Sequence, residues 1–532
     1  METPFSSLFA LCSLLSAITY CCLIYNATLF HKLRCFLLPL LSGDDAPPTY
    51  AVIGCLISFY KNRHRLLSWY TDLLSASPTQ TVVIRRLGAR KTIITANPEN
   101  VEYMLKTNFI NFPKGKPFTD ILNDFLGCGI FNVDGELWHA QRKLASHQFS
   151  SKSLKEHVET IVKESVKMKL FPLLDSLAGG KAVDLQEVLR RLGFDIVCRL
   201  SSGFDPCCLG DEHCLSDEVE ILKAFDKAGE ISAKREATPI STAWKLKKVL
   251  GVGSEKVLKD SVKKIHDFIS KIVDERKKNI TKSESKDLLS RMIMDGVSED
   301  VIRDMLISFI MAGRDTTSAA MTWLFYALSR HSQVEEKLVK EIGFQFKEDE
   351  YENLKEMKYL QTCLCETMRL YPPVAWDSKH AVYDDMLPDG TPVKAGDRVT
   401  YFSYGMGRME KIWGMDRLEF RPDRWFDCKP DENGGTLYLK EVSPFKFPVF
   451  HAGPRVCIGK GLANVQMSYV VASIVKRFEI RPVVSREEAV YLPLLTAHMD
   501  GGLKVFIRRR QQRTAATCHD NKIKKNLFET TS

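Results

Sequence analysis

The chain has 532 residues, 45% of them hydrophobic and 27% charged, with a formal net charge of +9. That length allows a large core or several domains, and that composition predicts a mostly globular, soluble chain. The charge is modest for the length and excludes a dedicated nucleic-acid binder, which concentrates basic residues on one face or stripe.

Residues 3–30 carry no charge, and "LFALCSLLSAITYCCLIY" (8–25) is apolar apart from scattered Ser and Thr. Such a stretch is long enough to cross a bilayer as a helix. Glu2 precedes it, while Lys32 and Arg34 follow. A cleaved secretory signal carries its positive charge in front. The positive-inside rule instead puts the N-terminus outside and the chain after His31 in the cytosol. The expectation is an uncleaved anchor over 1–30, in the endoplasmic reticulum membrane. A linker over 31–50, with an acidic pair and Pro47-Pro48, leads to a domain over 51–508. Cytosolic thiols stay reduced, so the fifteen cysteines imply no disulfide framework. None of them shows zinc spacing.

Residues 81–105 read as two short strands around Gly88 and a helix starting near Asn97. From Ser150 to Ile342 helical periodicity dominates. The strongest helix is predicted over 298–331, apolar on nearly every face over 305–325 and so threaded through the core. Strand-like, turn-rich stretches follow at 387–402 and 495–509. The tail, 509–532, is basic and lacks apolar periodicity, which suits disorder. The fold class expected is mainly α with smaller β regions.

Four constellations carry chemistry. In "AGRDTT" (312–317) an Asp and two Thr lie inside an apolar helix, which is costly unless they are satisfied. Thr hydroxyls can bond the preceding turn. With Gly313, this predicts a local distortion and a polar notch facing a cofactor. A simple kink or a buried Asp–Arg pair suits the pattern equally. Glu366 and Arg369 share a helix face, and Arg424 in "FRPDRW" could complete a carboxylate–two-guanidinium network. An ordinary surface ion pair is the commoner reading of such spacing. Trp138 and Arg142, four apart, suit an anionic group such as a carboxylate, or else a core Trp beside a solvated Arg. In "FPVFHAGPRVCIGK" (447–460), Phe450, Gly453, Arg455, Cys457 and Gly459 form a dense pattern around one sulfur. It suits a single thiolate ligand to haem iron, which favours O–O cleavage. Loop N–H groups would tune the sulfur, and Arg455 could meet a haem propionate.

With these four signatures in this order and spacing, the chain resembles the cytochromes P450, the haem-thiolate monooxygenases, over essentially everything after the anchor. The resemblance implies haem b (iron protoporphyrin IX) between a long central helix and a Cys-ligand loop. Cys457 would be the iron ligand, and Thr316 and Asp315 would serve dioxygen and proton delivery. Trp138, Arg142, Arg455 and His380 would face the propionates, and Glu366, Arg369 and Arg424 would brace the fold. It further implies NADPH electrons from a membrane-bound reductase, O2 and an apolar small-molecule substrate. The expected pocket is lined by 116–131, parts of 203–250, 304–313, 372–377 and 495–500, including Phe118, Phe125, Ile310, Ala312, Val374 and Leu495.

Segments 111–149, 404–414, 443–460 and 493–505 are similar to the plant fatty-acid ω-hydroxylase branch, and most to jasmonoyl-amino-acid hydroxylases. That implies oxidation at the terminal or near-terminal carbon of a carboxylate-bearing chain. Two features depart from the branch. No proline follows Tyr50, and Gly461-Leu462 stands where an acidic residue and Met are usual. Other readings are a sterol side chain as substrate, a reductase-independent haem-thiolate isomerase or dehydratase, and a non-catalytic haem protein.

Overall fold

The computed structural model describes residues 47, 54–85, 90–146, 149, 151–209, 216–238, 241–279, 287–348, 352–429, 436–483 and 489–510. The expected anchor, nearly all of the linker, Gly88 and the tail beyond Arg510 lie outside the described residues. Among the described residues no helix is long and apolar enough to cross a membrane.

Helices dominate, as expected. Those that position the site are α1 (Lys116–Leu126), α2 (Gly135–Ser146), α3 (Leu185–Ser202), α4 (Ser216–Ala237), α5 (Glu299–Arg330), α6 (Lys358–Leu370) and α7 (Lys460–Arg477). Each boundary has a local cause. Asp184 caps α3 by accepting from the Gln186 N–H at 3.0 Å. Gly203, at φ +66°, ends it in the left-handed conformation glycine tolerates. Ser298 is the N-cap of α5, and Glu299 and Asp300 sit at its positive end.

The long helix α5 runs through the core, as its apolar sequence predicts. Its C-terminal half packs Trp323, Leu324 and Leu328 among residues of α3, α6 and α7. Its N-terminal half packs Ile302, Met305 and Leu306 against Leu122 of α1 and Ile265 and Ile269 of the helix Ser254–Asn279.

The distortion expected at 312–317 is not present: α5 is a continuous α-helix there. The hydroxyls do turn back, Thr316 to the Ala312 carbonyl at 2.7 Å and Thr317 to that of Gly313 at 2.8 Å. They satisfy themselves without opening the ladder. Gly313 has a different purpose. A Cβ there would lie 2.6 Å from Val197 Cγ2, and one at Gly193 would lie 3.0 Å from the Arg314 carbonyl oxygen. The two glycines let α3 and α5 cross with their backbones close together.

Four strands form the main sheet: β1 (Thr81–Ile84), β2 (Thr92–Thr95), β3 (Asp377–His380) and β4 (Arg398–Tyr401), in the order β1-β2-β4-β3. Only the β2–β4 pair is parallel. β1, β2 and β4 are rich in β-branched residues, which fit a pleated, half-buried surface. Ile84, Ile93 and Val399 join a core cluster with Trp69 and Phe402. After β2, Asn97 caps the helix Pro98–Glu102 by accepting from the Glu99 N–H at 2.9 Å. A second sheet joins Phe478–Pro482, Lys504–Arg509 and Val183–Asp184.

Candidate active site

The loop before α7 is built around Cys457. Its backbone N–H donates to the Phe450 carbonyl at 2.8 Å, closing the loop on itself. Inside it Gly453 takes φ +64°, and a Cβ there would come within 1.9 Å of the Leu105 carbonyl oxygen. Only glycine fits. Gly459 is not required in that way, since its Cβ would meet Cys457 Sγ at an ordinary 3.8 Å. Helix α7 starts three residues after the cysteine and turns its positive end toward the loop. Burial pushes the Cys457 thiol up, while the backbone N–H groups of Gly459 and Lys460 and the charge of Arg142 pull it down.

Cys457 has an exposed surface, yet that surface opens into an internal cavity of about 380 Å³ that the residue itself lines. Across that cavity stands α5. Its half-buried Phe309, Ala312, Gly313 and Thr316 recur at the three- and four-residue spacing of one helix face, and all line the cavity. Asp315 does not line it. Its carboxylate lies 2.6 Å from Arg314 Nε and 3.7 Å from Arg190, behind the helix. Against the cost of burial, Arg314 and Arg190 hold the Asp315 carboxyl below its ordinary range, so it stays ionised.

Trp138, Arg142 and Arg455 come together as the sequence suggests. The Arg455 guanidinium sits 4.4 Å from the Trp138 ring centre and that of Arg142 5.7 Å. Arg142 donates to the Val456 carbonyl at 2.8 Å, and Arg455 to Asp134 at 2.6 Å. His380 is placed differently from its expected position. Its Nδ1 lies 2.7 Å from the Lys114 carbonyl oxygen, and it is not among the cavity-lining residues. His451 is, and sequence reasoning missed it. It stands at φ +60° with Nε2 3.2 Å from Asp377. Burial, then the Lys379 charge, pushes His451 down to about 4, leaving it neutral.

The brace network forms in full. Arg369 donates to Glu366 through Nε at 2.7 Å and Nη2 at 2.8 Å, and Arg424 Nε does so at 2.8 Å. Glu366 and Arg369 are both fully buried.

A sequence profile described as "Cytochrome P450" matches residues 46–497. The chain belongs to the cytochrome P450 family. It is 57% identical to Cytochrome P450 94B1 of Arabidopsis thaliana, over 88% of this chain and 92% of that protein. It is 42% identical to Cytochrome P450 94A1 of Vicia sativa, over 87% and 90%. With CYP94D108 of Paris polyphylla it shares 40% identity, over 88% and 93%. This cytochrome P450 is therefore a haem-thiolate monooxygenase that uses dioxygen and electrons from a reductase.

The residues of this cytochrome P450 fit a haem. A lone thiol faces the cavity from a closed loop. At one edge the cations Arg142, Arg455 and Lys114 line the cavity with one acid, Asp377, while Asp134 and Lys379 pair with Arg455 and Asp377 behind them. Arg455 Nε is buried without a partner among the described residues. Such a positive, under-satisfied edge suits two carboxylates. Against the cost of burial, Lys114, Lys379 and His451 hold the Asp377 carboxyl well below its usual range. Burial pushes the Lys379 ammonium down to about 7, with Asp377 opposing.

Of the expected pocket residues, Phe118, Ala312, Val374 and Leu495 line the cavity. Phe125 and Ile310 do not. Both turn into the core, Phe125 edge-on to Phe225 with ring centres 6.1 Å apart. Leu122, Ile130 and Trp376, inside the stretches expected to line the pocket, are in the wall, and sequence reasoning missed Phe149. The wall also holds two charged residues, Glu236, inside the expected stretch 203–250, and Lys114, which sequence reasoning missed.

Proposed function

We propose that this cytochrome P450 hydroxylates the terminal or near-terminal carbon of a carboxylate-bearing lipid, such as a fatty acid or jasmonoyl-isoleucine. The observation that carries this reading is the make-up of one cavity. Its wall is largely apolar, from Phe118 and Leu122 to Val374 and Leu495, yet it also holds Lys114 and Glu236. That wall suits a chain with one charged end.

Cys457 would hold the iron, and Trp138, Arg142 and Arg455 the propionates. When bound, the haem supplies the thiolate-ligated iron chemistry that inserts one oxygen atom into a C–H bond. The chain's own residues orient, exclude water and hold protons. Thr316 donates its hydroxyl proton to the Ala312 carbonyl, which leaves its oxygen lone pairs free to accept from a proton donor in the cavity. Phe309 stacks on Phe149 with ring centres 6.1 Å apart, and the pair closes the apolar wall against water. Glu366, Arg369 and Arg424 keep the segments under the Cys457 loop in register.

The proposed layout is an anchor over 1–30, a linker over 31–50, the catalytic domain over 51–508 and a basic tail over 509–532. The protein would sit in the endoplasmic reticulum membrane, with the domain in the cytosol. One surface supports membrane contact. On the helix Ser241–Leu250, Leu246, Val249 and Leu250 are 61%, 84% and 62% exposed, beside Lys245, Lys247 and Lys248. Apolar side chains backed by lysines suit a lipid interface.

The test is turnover in microsomes with reductase on medium-chain fatty acids, jasmonoyl-isoleucine and hydroxylated sterols. Products are located by mass spectrometry. Hydroxylation at the distal end of the carboxylate-bearing compounds is expected. Turnover of sterols alone would overturn the reading.

A further inference from the structure

The cavity wall contains an ion pair that joins two distant parts of the chain. Glu236, on the last turn of α4, lines the cavity and pairs with Nη2 of Arg398 at the start of β4. The Arg398 Nε donates to Ser378 Oγ at 3.0 Å, and Ser378 also lines the cavity. Arg398 thus stands one layer behind the wall, with Glu236 on its Nη2. Both side chains are mostly buried, at 20% and 14% exposed.

Neither element depends on this pair for its place. The end of α4 is held by the neighbouring Arg235, which bonds Asp124 at 2.8 Å, the Ile121 carbonyl at 2.9 Å and the carboxylate of Glu255. Arg398 is held by the ladders of β4 to β2 and β3. The other acids nearby are engaged elsewhere: Asp397 pairs with Lys91 at 2.7 Å, and Asp377 with Lys114 at 2.7 Å. Among the described residues, Glu236 is the carboxylate paired with Arg398, and both elements have other contacts that hold them.

We propose that Arg398 is the anchor for the substrate's carboxylate, and that Glu236 occupies that anchor until the substrate displaces it. The exchange puts one carboxylate in place of another on a guanidinium already fixed at Nε, a geometry suited to a two-pronged ion pair. The same cavity is lined by Thr316 and Cys457. On this proposal a chain held by its acid at Arg398 runs along the same cavity, and distal hydroxylation follows where its far carbons reach the face that Thr316 and Cys457 line. The inference rests on the reading of the substrate as a carboxylate-bearing lipid.

The experiment is a spin-state titration of the full-length, haem-loaded protein with dodecanoic acid and with methyl dodecanoate. The wild type binds the acid more tightly than the ester. Arg398→Gln weakens the acid by about 10- to 100-fold, the worth of a charge-assisted hydrogen bond, and leaves the ester unchanged. Glu236→Gln tightens the acid by removing its competitor. If the wild type binds acid and ester alike, the substrate reading fails and the anchor with it. If the wild type discriminates and Arg398→Gln still does, or if Glu236→Gln weakens the acid, the anchor alone is overturned.

Discussion

Glu366 is the most densely bonded acid of the proximal side, and replacing its partner Arg369 by leucine tests why. Its two oxygens accept from Arg369 twice, Arg424 Nε, the Arg421 N–H at 2.9 Å and Trp425 Nε1 at 2.9 Å. Arg369 also donates to the carbonyls of Arg417 at 2.6 Å, Glu419 at 2.9 Å and Gly407. Arg369→Leu leaves a fully buried carboxylate with one guanidinium and strips a donor from three carbonyls. Breaking one side of a buried pair costs about 3–5 kcal/mol, against a total stability of about 5–15 kcal/mol for a folded domain. The variant should therefore lose a large share of its stability and little of it should fold around haem. Arg424→Leu should cost less, since Glu366 keeps both bonds from Arg369. The double change Glu366→Leu with Arg369→Leu removes both charges, and its cost should fall well below the sum of the single changes. The assays are the chemical unfolding midpoint by tryptophan fluorescence and the thiolate-type band of the reduced CO complex. If Arg369→Leu unfolds within about 0.5 kcal/mol of wild type, as an ordinary surface substitution would, and keeps its full CO band, the network is not what holds this side together.

Four further outcomes follow from the same geometry. Thr316→Ala should keep the CO band and substrate binding, yet cut hydroxylation by about 10²-fold and divert NADPH electrons to peroxide; unchanged product per NADPH would remove Thr316 from proton handling. Val374→Phe, at a side chain facing the cavity, should shift the position of hydroxylation. Phe125→Ala should leave that position alone and cost about 3–5 kcal/mol of stability, so a regiochemical change from Phe125→Ala would refute its core placement. His380 is pushed down to about 4 by burial, with the charges of Arg398 and Arg90 adding to it and the Lys114 carbonyl and Asp134 opposing. The folded state keeps it neutral while the unfolded chain protonates it near its ordinary 6.5. Its contribution is full above that pH and is lost as pH falls toward 4, by about 3 kcal/mol. His380→Gln should flatten the acid side of the stability–pH profile, and an unchanged slope would count against the buried, neutral ring.

What could be read from the sequence was whatever depends on residue identity at fixed short spacing. The loop of Cys457, the Glu366–Arg369 pair and the Trp138–Arg142 pair are of this kind, and Arg424 joined them because one acid can serve two guanidiniums. Helical phase was not legible in α5. A helix apolar on nearly all faces gives no signal of which face meets a cavity, so 304–313 was expected to line it as a block and Ile310, which turns to the core, was singled out where Phe309 faces the cavity. Phe125 failed likewise: three residues from the wall-lining Leu122, it turns to Phe225 instead. Gly313 was misread because a glycine needed for a close helix crossing looks, in one dimension, like a glycine that breaks a helix. His380 and His451 could not be told apart, since their roles depend on which backbone carbonyl and which carboxylate lie near them in space.

Asp315 and Thr316 are adjacent in sequence but about 100° apart around the helix axis, so one cannot stand in for the other. Thr316 belongs to the front face with Phe309 and Ala312. Asp315 belongs to the back, where Arg314 reaches Asp226 of α4 at 2.6 Å and Arg190 of α3 approaches both acids. At rest Asp315 is ionised and paired with Arg314 and Arg190, so any part in proton delivery requires it to exchange those partners. These pairs form a charge lattice that ties α3 and α4 to the rear of α5. Helix α4 then has two kinds of ionic contact: Asp226 and Arg235 hold it in place, while Glu236 meets the cavity through a pair that can be exchanged. A ligand that displaces Glu236 leaves the other two intact, so the helix can admit a charged chain at one end while the crossing that positions Thr316 stays closed at the other.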